Sequence, residues 1–323
     1  MSERIRSTAR RLWFLYVALT VLQTLMLTSL WLLGIDELMT PYEALAHSFS
    51  TMPTGGFSTQ PRSAEAFSAE SQWILALFML IAGTNFALMY RAVVRRRPHA
   101  LARDEEFRLY IALALVATAA LTAMVWGYRI AEGEAALRMA FFQTISIMST
   151  TGMASVDFAL WPALLLLTLF ALMFVGGSAG STGGSIKVVR HLLLGKILRR
   201  ELHRTVSPEL VMPVRLNGAT VDERTLRAVA TFILLYVGAW ALGGGVIAIE
   251  AAITGVGLAP LDALATSATA LGNVGPGFGV TGPMGSFAPL GDVSKITLIG
   301  LMWIGRLEIL PVVVLLTRHY WRL

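Results

Sequence analysis

One short frame recurs three times along the chain: Thr54-Gly55-Gly56-Phe57, Thr150-Thr151-Gly152-Met153 and Asn273-Val274-Gly275-Pro276, always with glycine third. The match extends upstream. Six residues before each frame stands a small hydroxyl residue (Ser48, Thr144, Ser267), four before it another (Ser50, Ser146, Thr269), and ten before it alanine (Ala44, Ala140, Ala263). Each frame follows an apolar run and a short helix-like stretch, and a second apolar run follows it. A match that keeps phase with its flanking helices marks an internal repeat, so the chain must fold as copies of one unit set about a shared site.

The apolar runs decide the solvent. Uncharged stretches extend over 12–35, 71–90, 109–128, 158–186 and 228–249, each at or beyond the ~20 residues that cross a bilayer. A sixth, 296–317, is interrupted only by Arg306 and Glu308. With 55% hydrophobic and 14% charged residues, and a mean hydropathy of +0.66, a soluble fold is excluded. The first run is too long for a signal core and has no small-residue cleavage site after it, so it reads as a retained transmembrane helix. The absence of cysteine excludes disulfides and thiolate metal sites.

The charges orient the spans. Arg4, Arg6, Arg10 and Arg11 precede the first run, a cluster from Arg91 to Arg108 separates the second and third, and the largest cluster runs from Lys187 to Arg227. Arg318 and Arg322 end the chain. The opposite connections carry Asp36, Glu37, Glu43, Glu132, Glu134, Glu250 and Asp262 with few basic residues. The positive-inside rule then places both termini and both basic loops in the cytoplasm. These arginines are not interleaved with stacking aromatics, so topology and contact with the lipid bilayer explain them and nucleic acid does not.

In that topology the hydroxyl-rich stretches start outside and return outside. Pro41 and Pro260 suit a first helical turn, and some 12 residues of helix cover only about 18 Å, too short to cross. They read as re-entrant. Irregular backbone at membrane depth is tolerated only against protein or a water-filled cavity, which argues for one aqueous axis shared by the three loops. The short helices aim partially negative C-terminal ends at that axis, favouring a cation. Carbonyl rings can replace an alkali ion's water shell, and glycine leaves the axis free of side chains. Convergence of Gly56, Gly152 and Gly275 at one depth is therefore the key expectation; the alternative for any single loop is a tight turn between helices.

The stretch Ser50-Thr51-Met52-Pro53-Thr54-Gly55-Gly56-Phe57-Ser58, together with Ser149-Thr150-Thr151-Gly152-Met153, Leu271-Gly272-Asn273-Val274-Gly275-Pro276-Gly277 and Gly305-Arg306-Leu307-Glu308, resembles the Trk/Ktr/HKT potassium transporters over essentially the whole chain. The resemblance implies an all-α polytopic membrane protein of helix-pore-helix repeats around a pseudo-fourfold axis, with potassium as the transported ion and no organic cofactor. Thr54, Gly55, Gly56, Thr150, Thr151, Gly152, Asn273, Val274 and Gly275 would line its filter. Three repeats are expected, at 1–106, 107–215 and 216–323, matching the second to fourth of the family. The first repeat is absent from this sequence, and Met1 to Arg6 reads as a cytoplasmic linker, so a longer reading frame, a split gene or a fragment is implied. The resemblance also implies a bacterial inner membrane location, a homodimer, and a cytosolic nucleotide-binding regulatory partner of the TrkA type.

Between Val175 and Lys187, Gly176, Gly177, Gly180, Gly183 and Gly184 stand among three serines and cannot sustain a firm helix. A phosphate-binding loop is a poor match, because Lys187 lies three residues beyond the last glycine and a membrane span precedes it. Close packing through small residues is the plain alternative; the resemblance implies a gate loop beneath the filter. Arg306 lies eleven residues into the last run from Lys295, about 16 Å along a helix and so at mid-membrane, where a charge faces a pore or a partner. Glu308, two positions on, does not share its helix face and is expected to pair elsewhere.

Other classes fare worse. The five histidines, His47, His99, His191, His203 and His319, show no metal-ligand spacing, and His47 reads as a packed polar side chain. No nucleophile and base pair stands at membrane depth, so no enzyme is expected. A sodium-permeable transporter of the same family and a non-conducting membrane scaffold remain as alternatives.

Overall fold

The computed structural model describes residues 3–207, 209, 212–315, 317 and 320–322; Arg318 and His319 lie outside them. Its first unit comprises α1 (Glu3–Leu32), the short α2 (Pro41–Thr51), α3 (Ala69–Ala82) and α4 (Phe86–Val93). α5 (His99–Arg103) leads to the second unit, α6 (Glu105–Gly127), α7 (Gly133–Met148), α8 (Ala163–Leu172) and α9 (Val188–Val206). A hairpin of β1 (Arg215–Leu216) and β2 (Ala219–Thr220) precedes the third, α10 (Glu223–Thr254), α11 (Pro260–Gly272), α12 (Asp292–Leu307) and α13 (Ile309–Leu315). The molecule is thus three copies of helix, short helix and interrupted helix. α1, α6 and α10 are each long and apolar enough to cross a membrane, and the bent pairs α3/α4 and α12/α13 pass the same test when each is taken as one span.

The helices start where their residues dictate. Pro41 opens α2 and Thr40 Oγ1 accepts the Glu43 N–H at 3.4 Å; Pro260 opens α11, whose Asp262 carboxylate accepts the Ala259 N–H at 3.3 Å. Asp104 and Asp222 cap the long helices α6 and α10 in the same manner.

Two expected spans are not single helices. The run 71–90 breaks after Ala82 and its halves meet at 105°. Asn85 causes the turn by accepting the Ala87 and Leu88 N–H groups at 2.9 and 3.1 Å, which starts a new helix in a new direction. Gly83 lets the break sit against Tyr110, whose hydroxyl a Cβ there would overlap. The run 296–317 likewise turns by 109° at Glu308, whose φ is +65°. Gly305 presses so close beneath the third loop that a Cβ would overlap the Leu271 carbonyl, and Glu308 is drawn sideways to Arg190 at 2.8 Å. In the run 158–186, α8 ends at Leu172 and irregular chain follows to Lys187, as its glycines lead one to expect.

Three large apolar clusters, alongside two smaller ones, carry most of the packing. One joins α6, α7 and α8 to α11, a second joins α1, α2 and α3 to α6 and α7, and a third belongs to α10 through α13. α7 sits between the outer units, and every side chain from Phe142 to Met148 is fully buried. Without a hydrophobic driving force between helices in lipid, close approach of small residues supplies the contact energy. Ala44, Ala140 and Ala263, the repeated alanines, are all fully buried.

Candidate ion site

α2, α7 and α11 end directly at the three recurring frames, and the frames share one backbone conformation. The first residue of each lies in the left-handed region, with φ of 55° at Thr54, 61° at Thr150 and 53° at Asn273. The third is also at positive φ, with 73° at Gly56, 82° at Gly152 and 126° at Gly275. The second residue's N–H turns back to the carbonyl four positions before the frame: Gly55 to Ser50 O at 2.8 Å, Thr151 to Ser146 O at 2.9 Å, and Val274 to Thr269 O at 2.9 Å. The third N–H follows it, from Gly56 and Gly152 to the same carbonyls at 3.3 and 3.2 Å, and from Gly275 to Thr269 Oγ1 at 2.9 Å.

With their amides tied to the helices, the loops have carbonyls to spare. Among the described residues none of the nine carbonyl oxygens of 54–56, 150–152 and 273–275 accepts a hydrogen bond. Thr54, Thr150, Thr151 and Val274 are buried while Gly55 and Gly275 are exposed, and oxygens on loops such as these are free to bind water or a cation.

The loops meet. A Cβ on Gly56 would overlap the Thr151 carbonyl oxygen, and one on Gly152 would overlap that of Val274. Gly275 has only Gly152 Cα near its Cβ position, at 3.6 Å. One cavity of about 1080 Å³ is bordered by Thr54, Gly55, Gly56, Thr151, Gly152, Asn273, Val274 and Gly275. Thr150 does not border it; its side chain turns down instead. No carboxylate lines the cavity, and its one charged neighbour is Arg306.

Beneath the loops lies the glycine-rich segment after α8. Thr54 Oγ1 donates to Thr182 O at 3.1 Å, and the Gly184 N–H donates to Thr150 Oγ1 at 2.6 Å, so the side chains of both left-handed threonines are held from below. Asn273 Nδ2 donates to Met302 O at 3.3 Å in the third loop. Gly183 and Gly184 border a second cavity of about 240 Å³, together with Lys187, Tyr236 and Arg306. Gly176, Gly177 and Gly180 border neither and act as packing positions. A Cβ on Gly176 would overlap Gly184 O, one on Gly177 would lie 2.9 Å from Gly83 O, and Gly180 O accepts the Phe86 N–H at 3.2 Å.

Arg306 touches both cavities, and its Nη1 donates to Thr182 O at 3.4 Å. It has no ion-pair partner among the described residues. Glu308 pairs with Arg190, whose guanidinium also stacks 3.8 Å from the Phe232 ring centre. His47 is fully buried, with Nδ1 2.8 Å from Glu43 O.

Sequence reasoning passed over Glu106. This buried carboxylate accepts the Ala179 N–H at 2.6 Å and the Val189 N–H at 3.2 Å, joining the glycine-rich segment to the start of α9. It stands beside Glu105 in a basic stretch, and nothing in its neighbours distinguishes it from a solvated charge.

The chain is similar to known proteins over its whole length. The family described as TrkH, cation transport protein, matches residues 1–321. The Trk system potassium uptake protein TrkH of Salmonella typhimurium is 38% identical across the whole chain, and its Escherichia coli counterpart 36%; in both cases the match covers 64% of the relative. The crystal structure of the potassium transporter TrkH from Vibrio parahaemolyticus superposes with a TM-score of 0.87 at 35% identity, covering 99% of this chain and 66% of that one. The chain therefore spans just under two thirds of the length of these relatives. It is a membrane-embedded, predominantly helical protein that belongs to the TrkH family of cation transport proteins.

Proposed function

We propose that this chain contributes three walls of a potassium pathway, with the nine loop residues as its filter and the segment containing Gly176, Gly177, Gly180, Gly183 and Gly184 as a gate held partly by Arg306. The reading rests most heavily on one observation: nine backbone carbonyls without donors on three loops of matching conformation around one cavity. Oxygen ligands without carboxylates suit a large, weakly hydrated monovalent cation, which must enter and leave readily. Potassium is favoured over sodium because the relatives are named as potassium uptake proteins.

Several finer points belong to the same reading. The units are taken as 1–106, 107–215 and 216–323, although α6 already begins at Glu105. The basic clusters face the cytoplasm of a bacterial cell, so the chain sits in the inner membrane with its termini inside. Assembly as a homodimer with a cytosolic TrkA-type subunit is carried over from the resemblance, in keeping with relatives named as parts of a Trk system. α2 and α12 both border the upper cavity, and Phe49, Phe57 and Met302 on that side are left uncovered by the described residues. A fourth unit of the same kind would close the wall there and keep filter backbone from lipid.

The test is rubidium uptake by a host devoid of its own potassium uptake, with the chain expressed alone and with a supplied fourth unit. Uptake that saturates, resists competing sodium and disappears with Gly152→Ala is expected once the wall is closed. Uptake indifferent to Gly152→Ala rejects the filter assignment, and no uptake in either arrangement favours a non-conducting scaffold.

A further inference from the structure

Seven residues before each frame stand three chemically unrelated side chains, His47, Gln143 and Thr266. All three are fully buried. Each reaches across to the limb of chain that leaves its own loop. His47 Nε2 lies 2.9 Å from Ser58 Oγ, Gln143 Nε2 donates to Ser155 Oγ at 3.3 Å, and the hydroxyls of Thr266 and Thr281 are 2.7 Å apart. In the first of these the Nδ1 side faces the Glu43 carbonyl, which can only accept, so in the neutral ring Nε2 takes the Ser58 proton.

The partners do not share a register. Ser58, Ser155 and Thr281 stand four, five and eight residues after the first frame position. The exit limbs therefore take different paths, and the contact recurs although neither its chemistry nor its spacing does. Shared local geometry alone does not produce that result; a common mechanical requirement does.

We propose that His47, Gln143 and Thr266 are positioning residues that brace the three exit limbs and so fix the width of the carbonyl ring. The proposal rests on the reading of the loops as a filter. Each loop is already tied on its near side to the carbonyl or hydroxyl four positions before the frame. The brace supplies a second tie two helical turns back on the pore helix, one on each side of the glycine. A loop tied once can close around a smaller ion, whereas a loop tied twice holds its oxygens at the spacing that suits the larger one.

The experiment measures potassium and sodium affinity by ion-dependent melting of the full chain in detergent. It compares wild type with His47→Leu, Gln143→Leu, Thr266→Val and the exchange variant His47→Gln. Each apolar variant is expected to lower the potassium-to-sodium affinity ratio about tenfold, the scale of one lost buried hydrogen bond. His47→Gln, which places at position 47 the amide already used at 143, should recover the ratio to within roughly threefold of wild type. Ser58→Ala and Ser155→Ala cut the same ties from the other end with little change of volume, and take over the comparison where a helix variant does not fold. A residue that serves stability alone would lower melting in both salts and leave the ratio untouched. An unchanged ratio in all the variants overturns the bracing role and leaves the filter reading standing; a wild type with no preference for potassium overturns both.

Discussion

Thr54 and Thr150 occupy a region of backbone space that β-branched residues avoid, at a cost of about 1–2 kcal/mol each. The strain persists because their hydroxyls are engaged from below, by the Thr182 carbonyl and the Gly184 amide. The glycines two positions on differ in their surroundings, and this separates their expected sensitivities. Gly56→Ala and Gly152→Ala drive a methyl group into a neighbouring loop's carbonyl, whereas Gly275→Ala meets only torsional strain. Melting of the purified variants should show losses of more than about 3 kcal/mol for the first two and about 1–2 kcal/mol for the third. Equal losses at all three would mean that the loops do not approach one another as described. The frame itself was legible in the sequence because Gly56, Gly152 and Gly275 repeat in type as well as in phase. His47, Gln143 and Thr266 repeat in phase only, so a comparison by residue type passes over them.

At the scale of elements, the short helices were legible from Pro41, Pro260 and the length between frames, and the interruption after α8 from its glycines. Direction was not legible. Hydropathy counts apolar residues along a line and is blind to a 105° or 109° turn. The signals were nonetheless present, since Gly83 and Asn85 form a break and a cap, and Asn217-Gly218 is a hairpin turn with φ of 50° and 81°. Asn217 docks that hairpin on α6 by accepting the Glu105 N–H at 2.8 Å, an arrangement no local pattern announces. Glu106 carries the clearest prediction at this scale. Glu106→Leu leaves the half-buried Ala179 and Val189 amides without their acceptor, a loss of roughly 1–3 kcal/mol, and should expose 176–187 to proteolysis. Glu106→Gln, which keeps an acceptor oxygen, should lose less than half as much. Protection of that segment unchanged in Glu106→Leu would show that α9 and the glycine-rich segment are not coupled there. The Arg190–Glu308 pair, half open to its surroundings on the Glu308 side, should give a coupling of only about 0.5–1 kcal/mol in a double-mutant cycle.

Across the whole molecule, the middle unit has a neighbour on each side and the outer two have one each. That asymmetry is the one expected of three like units set side by side. It places the loops of the first and second units, and of the second and third, in contact, and leaves the third glycine without a neighbouring carbonyl. Closing the wall beside α2 and α12 should raise the melting temperature, with the added stability lost when Phe57→Lys or Met302→Lys places a charge in the new contact; an unaltered midpoint in those variants would put the fourth unit elsewhere. The claim on which all of this depends is that the three loops hold one cation between them. Anomalous scattering from crystals grown in rubidium tests it most directly: the account predicts a peak lying between Gly56, Gly152 and Gly275, within coordination distance of their loops' carbonyls, and it is contradicted by a map with bound rubidium elsewhere and none on that axis.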